Sequence, residues 1–261
     1  RANFTYQTTD ILDKDEPANE LWYKMEKGFQ LNQTKGFIAL GLFENQADID
    51  SSPDQSSLAN KTILPGDIKY KDVNGDGIIN DDDIVPLGYR QTPGLQYGFG
   101  FSANWKNWGI NLLFQGTGKC DFFIGGSGPH AFRDGKRGNI LQEMVDGDRW
   151  IPKEISGTEA TENPHAEWPR LTYNNNNNNN RHSTFWLRER KYLRLRNLEI
   201  TYDVPQVWTR KFLVNTMRIG FIGQNLLTWA PFKWWDPEVP SENGSNYPIN
   251  KTYSCYVQFS F

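Results

Sequence analysis

The sequence predicts an all-β fold: about six strands of an antiparallel transmembrane β-barrel, joined by long extracellular loops. Three observations carry this reading. Strand-length segments set an aromatic or aliphatic face against a face of Gly, Asn, Gln and Ser, the alternation of a wall with lipid on one side and water on the other. The links between them are either very short or very long. The chain of 261 residues is 14% aromatic and has no apolar run of the roughly eighteen residues a membrane helix needs, a test that a β-barrel escapes.

In chain order, residues 2–8 form a first strand, with Ala2, Phe4 and Tyr6 on one face and Asn3, Thr5 and Gln7 on the other. Residues 9–94 are polar and turn-rich, with one clearly apolar piece at 36–43. A structureless loop of that length is improbable in a compact protein, so the segment should be ordered and functional. From Leu95 the alternation sharpens. Tyr97, Phe99, Phe101, Ala103 and Trp105 oppose Gln96, Gly98, Gly100, Ser102 and Asn104. Lys106-Asn107 makes a two-residue hairpin turn. The return strand points Trp108, Ile110, Leu112 and Phe114 outward, and Asn111 and Gln115 inward.

Residues 117–183 form a second long loop, in which seven consecutive asparagines, 174–180, cannot bury apolar area and predict a mobile tract, with an asparagine ladder as the alternative. Residues 184–204 read as one long strand. Leu193 and Leu195 have odd parity, whereas Leu198, Ile200 and Tyr202 have even parity, which places a bulge at Arg196-Asn197. Residues 205–213 allow a single helical turn. In the next strand Met217, Ile219 and Phe221 oppose Arg218, Gly220 and Gln224. After a Trp- and Pro-rich loop over 228–250, Tyr253, Cys255, Val257, Phe259 and Phe261 alternate with Ser254, Tyr256, Gln258 and Ser260. Short links belong on the periplasmic side of an outer-membrane barrel and long ones outside. Segments 9–94, 117–183 and 228–250 are therefore extracellular, and the location is the cell outer membrane.

Inside the first long loop, residues 72–83 read D-V-N-G-D-G-I-I-N-D-D-D. Asp72, Asn74, Asp76, Asn80 and Asp83 occupy positions 1, 3, 5, 9 and 12 of a calcium loop. Gly77 stands at the sharp turn, and Ile78 offers a backbone carbonyl. Calcium takes six to eight oxygens, which alternating residues of a short loop can supply. Asp83 replaces the usual Glu and is one methylene shorter. No long amphipathic helix flanks the loop, so the expectation is structural calcium and not a sensor; the alternative is a metal-free Asx- and Gly-rich turn.

A net charge of −3 and a pI near 5.7 give no footprint for nucleic acid. Cys120 and Cys255 are far apart in sequence and imply no disulfide. His130, His165 and His182 lack metal-ligand spacing and read as surface residues. Neither a nucleophile elbow nor a phosphate-binding loop is present, and the densest acids are already taken as calcium ligands. The chain does not read as an enzyme.

Several stretches carry a resemblance. The run P-G-D-I-K-Y-K-D-V-N-G-D-G-I-I-N-D-D-D over 65–83, with Leu87-Gly88, Pro93 and Tyr97-Gly98-Phe99 after it, resembles the C-terminal part of SusC/RagA-type TonB-linked outer-membrane transporters of Bacteroidetes. Asn3-Phe4-Thr5-Tyr6, Gly41-Leu42-Phe43, residues 183–198, Gln224-Asn225-Leu226-Leu227 and the last aromatic strand fit the same pattern. The resemblance spans nearly all of residues 1–261. It implies a barrel of about 22 strands with an N-terminal plug, of which this chain supplies the C-terminal portion. It also implies import of a glycan or peptide, energy from TonB through the plug, and a SusD-like lipoprotein as a lid. Trp229, Trp234 and Trp235 are candidates for substrate stacking at the barrel mouth; an aromatic girdle or packing against a lid is the alternative. The competing reading of the whole chain is a secreted, calcium-stabilised all-β carbohydrate-binding module.

Overall fold

The computed structural model describes residues 1–17, 21–135, 138–239 and 241–261. In chain order the strands are β1 (Ala2–Tyr6), β2 (Lys35–Gly36), β3 (Ala39–Leu42), β4 (Ile68–Tyr70), β5 (Val85–Pro86), β6 (Leu95–Trp105), β7 (Trp108–Gly118), β8 (Asp121–Phe123), β9 (Leu187–Glu189), β10 (Tyr192–Asp203), β11 (Thr216–Trp229) and β12 (Thr252–Ser260). The helices are single turns: α1 (Gln46–Asp50), α2 (Gln142–Asp146), α3 (Lys153–Ser156) and α4 (Gln206–Thr209). Six strands form one antiparallel sheet in the order β1-β6-β7-β10-β11-β12. The other six pair two by two, β2 with β5, β3 with β4 and β8 with β9.

The register of the large sheet joins the apolar residues of successive strands. Directly opposed residues share a face, so Ala103, Ile110, Ile200, Phe221 and Cys255 form one outward row. The adjacent row is Ser102, Asn111, Glu199, Ile222 and Ser254. The outward aromatics stay uncovered, with Phe101 58% exposed and Trp105 70% exposed. Water would penalise such a face and lipid does not. The inner face is more charged than its first two strands suggest, because β10 and β11 add Glu199 and the Asp203–Arg218 pair at 2.6 Å.

Both short links lie at one end of the sheet. Trp105 pairs with Trp108 across the two-residue turn, where Lys106 takes a left-handed φ of 53°. Asn107 Nδ2 donates to the Asp203 carbonyl, beside the helical turn α4. The bulge lies where the parity change puts it, and it grows across the sheet. No residue separates the β7 partners Leu113 and Phe114. One, Arg196, separates Asn197 and Leu195 on β10, and two, Asn225 and Leu226, separate Gln224 and Leu227 on β11. Asn225 takes a left-handed φ of 55° and accepts from Arg196 Nη1 at 3.1 Å. Extra residues on one side bend a sheet and increase its twist.

The hydrophobic core sits in the loops and not in the sheet. Tyr23, Phe37, Leu42, Ile68, Tyr70 and Ile79 from the first long segment pack with Phe122, Ile124, Trp150, Trp168 and Trp186 from the second and Phe232 from the third. The apolar piece 36–43 enters through Phe37, Leu42 and Phe43, all nearly inaccessible. The three loops therefore fold together as one layer at the end of the sheet opposite the short links. Its seam to the wall runs through Gln7 N to Gly94 O at 2.9 Å and Gly94 N to Lys119 O at 3.1 Å.

Three sequence expectations change. The asparagine tract is not a mobile appendage: Asn176, Asn178 and Asn179 are buried, the side chains of Asn178 and Asn179 pair the backbone of β4, and Asn176 Nδ2 donates to Asp67 Oδ1. Asn178 Nδ2 donates to the Ile68 carbonyl, and the Ile68 amide donates to Asn179 Oδ1, both at 2.9 Å. The tract buries hydrogen-bonding capacity instead of apolar area. The strand expected over 184–204 is interrupted, because Trp186 turns into the loop core and only Tyr192 onward joins the wall. His130 is buried against Trp186, with ring centroids 4.8 Å apart, and is not a surface residue.

Candidate functional site

The segment 72–83 folds as a tight loop clipped at its ends. Asp83, fully buried, accepts from Val73 N at 2.7 Å and from Asn80 N at 2.9 Å. Asp72 accepts from the Gly75 and Gly77 amides at 2.6 and 2.8 Å, and Gly77 holds a φ of 82°, open to glycine without strain. Asp76 Oδ1 accepts from Ile78 N at 2.8 Å, and Asn80 Oδ1 from Asp82 N at 2.6 Å. Asn74 Nδ2 donates to Asp76 Oδ2 at 2.8 Å. Ile79, inaccessible in the core, anchors the loop through Ile79 N to Asp54 O at 2.7 Å.

The donors Asp72, Asn74, Asp76, Asn80 and Asp83 are all oxygen and fall in order around the loop, which suits a hard cation. They hold to nearby N–H groups, and among the described residues no group of three or more His, Cys, Asp or Glu side chains is arranged to hold a metal. The fit to calcium thus rests on donor chemistry. Among the described residues, Lys24 is the cation that pairs with these acids, with Nζ 3.2 Å from Asp82 and a bond to the Asp81 carbonyl.

The three tryptophans separate. Trp229 ends β11 on the outward face, half exposed, with its ring 6.4 Å from Phe114, where an interfacial girdle would stand. Trp234 and Trp235 turn into the loop layer. Trp234 stacks on Trp168 at 5.3 Å and an interplanar angle of 27°, and Trp235 lies 4.7 Å from Phe232. Trp229 and Trp235 still border a common groove of about 530 Å³ that reaches Arg194. Trp234 borders a different cleft, with Trp168, Gln142, Glu143, Asp146 and Glu167. Sequence could not find that cleft, since α2 and Trp168 are brought to residue 234 only by the folded layer.

A buried charge cluster pins the third loop. Arg194, 2% exposed, points inward from β10 and reaches Asp236 at 2.6 Å, Glu238 at 3.0 Å and Thr228 Oγ1 at 3.0 Å. Arg196 shares Glu238 at 3.1 Å. Asn225 Nδ2 donates to Asn250 O at 3.0 Å, tying down the far end of the loop. Burial depresses the pKa of His130 to about 3, with smaller contributions from the charges of Arg133 and His182.

An antiparallel sheet, apolar outside and polar inside and capped at one end by a folded loop layer, defines part of a transmembrane β-barrel of the outer-membrane type. Known proteins agree. TonB-dependent receptor P26 of Formosa agariphila is 30% identical over 215 residues, 82% of this chain and 19% of that protein. TonB-dependent receptor P3 of the same organism is 26% identical over 186 residues, 71% of this chain and 17% of that protein. The fold matches the RagAB peptide transporter with a TM-score of 0.63 at 20% identity, over 90% of this chain and 23% of that one. No protein-family model matches. The chain spans about a fifth of the length of these curated relatives. It is a SusC/RagA-like segment of a TonB-dependent receptor barrel, as its motifs imply. The relatives bear the names of receptors and a transporter, not of enzymes.

Proposed function

We propose that this segment supplies barrel wall and extracellular loop layer to an outer-membrane importer of a glycan or peptide, energised through TonB and covered by a SusD-like lipoprotein. The observation that carries the reading is the two-faced sheet, whose outward apolar rows end where a loop layer with its own core begins. A secreted carbohydrate-binding module would have to keep those rows in water. Within the layer, residues 72–83 hold calcium through Asp72, Asn74, Asp76, Asn80, Asp83 and the Ile78 carbonyl, stiffening the face on which a lid docks. Outside the cell, calcium is plentiful enough for an affinity of about 10⁻⁴–10⁻³ M to suffice. Trp234 and Trp235, in the loop layer, line the approach to the channel, and Trp229, on the outward face, belongs to the interfacial girdle.

The test is uptake by cells carrying or lacking the intact gene, each with and without TonB. Accumulation of labelled glycans or peptides should require both. Equal uptake in all four strains would remove the import reading.

A further inference from the structure

The sequence holds two Asn-Gly pairs, Asn74-Gly75 in the calcium-type loop and Asn243-Gly244 in the third long loop. In such a pair the glycine nitrogen can attack the asparagine side-chain carbonyl carbon, because glycine places no Cβ beside that nitrogen. The fold treats the two pairs differently. Asp72 Oδ1 accepts from the Gly75 N–H at 2.6 Å, which keeps that nitrogen occupied. Both ends of the Asn74 carboxamide are fixed on Asp76, at 3.2 and 2.8 Å.

At the second pair the same groups are set for reaction. Asn243 is exposed and Gly244 half-buried. Asn243 Oδ1 accepts from Ser241 Oγ and from Ser245 N, both at 3.1 Å. When a nucleophile adds to Cγ, negative charge gathers on this oxygen, and donors already in place stabilise it there. Among the described residues the Gly244 N–H has no acceptor and Asn243 Nδ2 no partner, so neither the attacking nor the leaving nitrogen is held back. The glycine is also fixed by the fold. Gly244 has a φ of 71°, and a Cβ there would stand 2.8 Å from Trp235 Cε3.

We propose that Asn243-Gly244 is a site of spontaneous deamidation, and that its conversion loosens the joint between the second and third long loops. Solvent base removes the Gly244 amide proton, and the nitrogen bonds to Asn243 Cγ. The Cγ–Nδ2 bond breaks, and Nδ2 takes a proton back from solvent and leaves as ammonia. Water then opens the cyclic imide at either carbonyl, giving aspartate or isoaspartate. No oxidant or reductant is needed. The joint is close-packed. Gly125 N donates to Glu242 O at 2.8 Å, and Asn243 O lies 2.8 Å from where a Cβ on Gly128 would stand. Isoaspartate lengthens the backbone by a methylene here, and either product adds a negative charge beside Glu242.

The experiment is peptide mapping by mass spectrometry of the purified full-length protein in detergent, aged at neutral pH in heavy-oxygen water. The same protein unfolded in guanidinium chloride is the reference, in which both pairs should convert at comparable rates. Folded, Asn243 should convert about tenfold or more faster than Asn74, with heavy oxygen in the products. Ser241→Ala, which removes one donor to Oδ1, should slow Asn243 at least several-fold and leave Asn74 unchanged. Hydrogen exchange over residues 125–128 and 241–245 should rise on ageing. Asn243→Gln, which must close a less favourable, larger ring, should show no such rise. Equal rates for the two pairs in the folded protein, faster conversion of Asn74, an unchanged rate in Ser241→Ala, or exchange that does not respond to conversion would overturn the inference.

Discussion

Asn178 donates its side-chain amide to the Ile68 carbonyl at 2.9 Å, across 110 residues of sequence. Gln55 Nε2 reaches the same carbonyl at 2.9 Å, and Asn179 Oδ1 takes the Ile68 amide. Side chains thus complete the outer edge of β4 as another strand would, and satisfy backbone groups that could not remain unpaired in a core.

Asn178→Ala should therefore destabilise the loop layer by about 1–3 kcal/mol for each buried group left unpaired. Asn177→Ala, at an exposed position in the same tract, should stay within about 0.5 kcal/mol. Denaturant titration followed by tryptophan emission distinguishes them. Equal effects would mean that the tract acts by composition and not by position.

Charging the outward face should be costly and charging the inner face cheap. Phe101→Lys near mid-membrane is expected to cost roughly 2–4 kcal/mol, and Asn111→Lys far less. Spin labels provide the structural check. A label at Phe99 should be shielded from a water-soluble quencher, and one at Gln96 should not.

Arg194→Ala would leave Asp236 and Glu238 without their buried partner, at a cost of about 3–5 kcal/mol. The third loop should then loosen between its anchors while the wall holds. Hydrogen exchange should rise over residues 230–250 and stay unchanged in β10 and β11. Arg194→Lys, which lacks the planar fork, should rescue only part of the protection.

The proposed calcium loop predicts that chelation increases protease cleavage around residues 72–83, and that added calcium reverses it. Asp76→Ala should remove the response and leave the barrel folded. Identical cleavage with chelator and with calcium would make the loop a metal-free turn.

His130 should make the loop layer sensitive to acid. Its folded pKa, about 3, lies below the ordinary 6.5, so the unfolded chain binds the extra proton between those values. The stabilisation is complete above about pH 6.5 and drains away as pH falls toward 3, on the order of a few kcal/mol in all. His130→Phe should flatten stability between pH 6.5 and 4. An unchanged slope would assign the acid sensitivity to other groups.

The sequence by itself determined the wall. Strand positions, inward and outward faces, the hairpin at Lys106-Asn107 and the bulge at Arg196 follow from a period of two, a local property that lipid on one side and water on the other imposes along each strand. The order of oxygen donors in residues 72–83 was legible for the same reason, being confined to twelve consecutive residues. Only the tertiary structure decided the loop layer. Whether asparagines hang in solvent or pair β4, whether Trp186 continues a strand or enters a core, and which acids meet Trp234 depend on contacts between segments up to about a hundred residues apart. Side-chain amides and indoles serve equally well in water and in a core, so their identity carries no record of which partner the fold supplies.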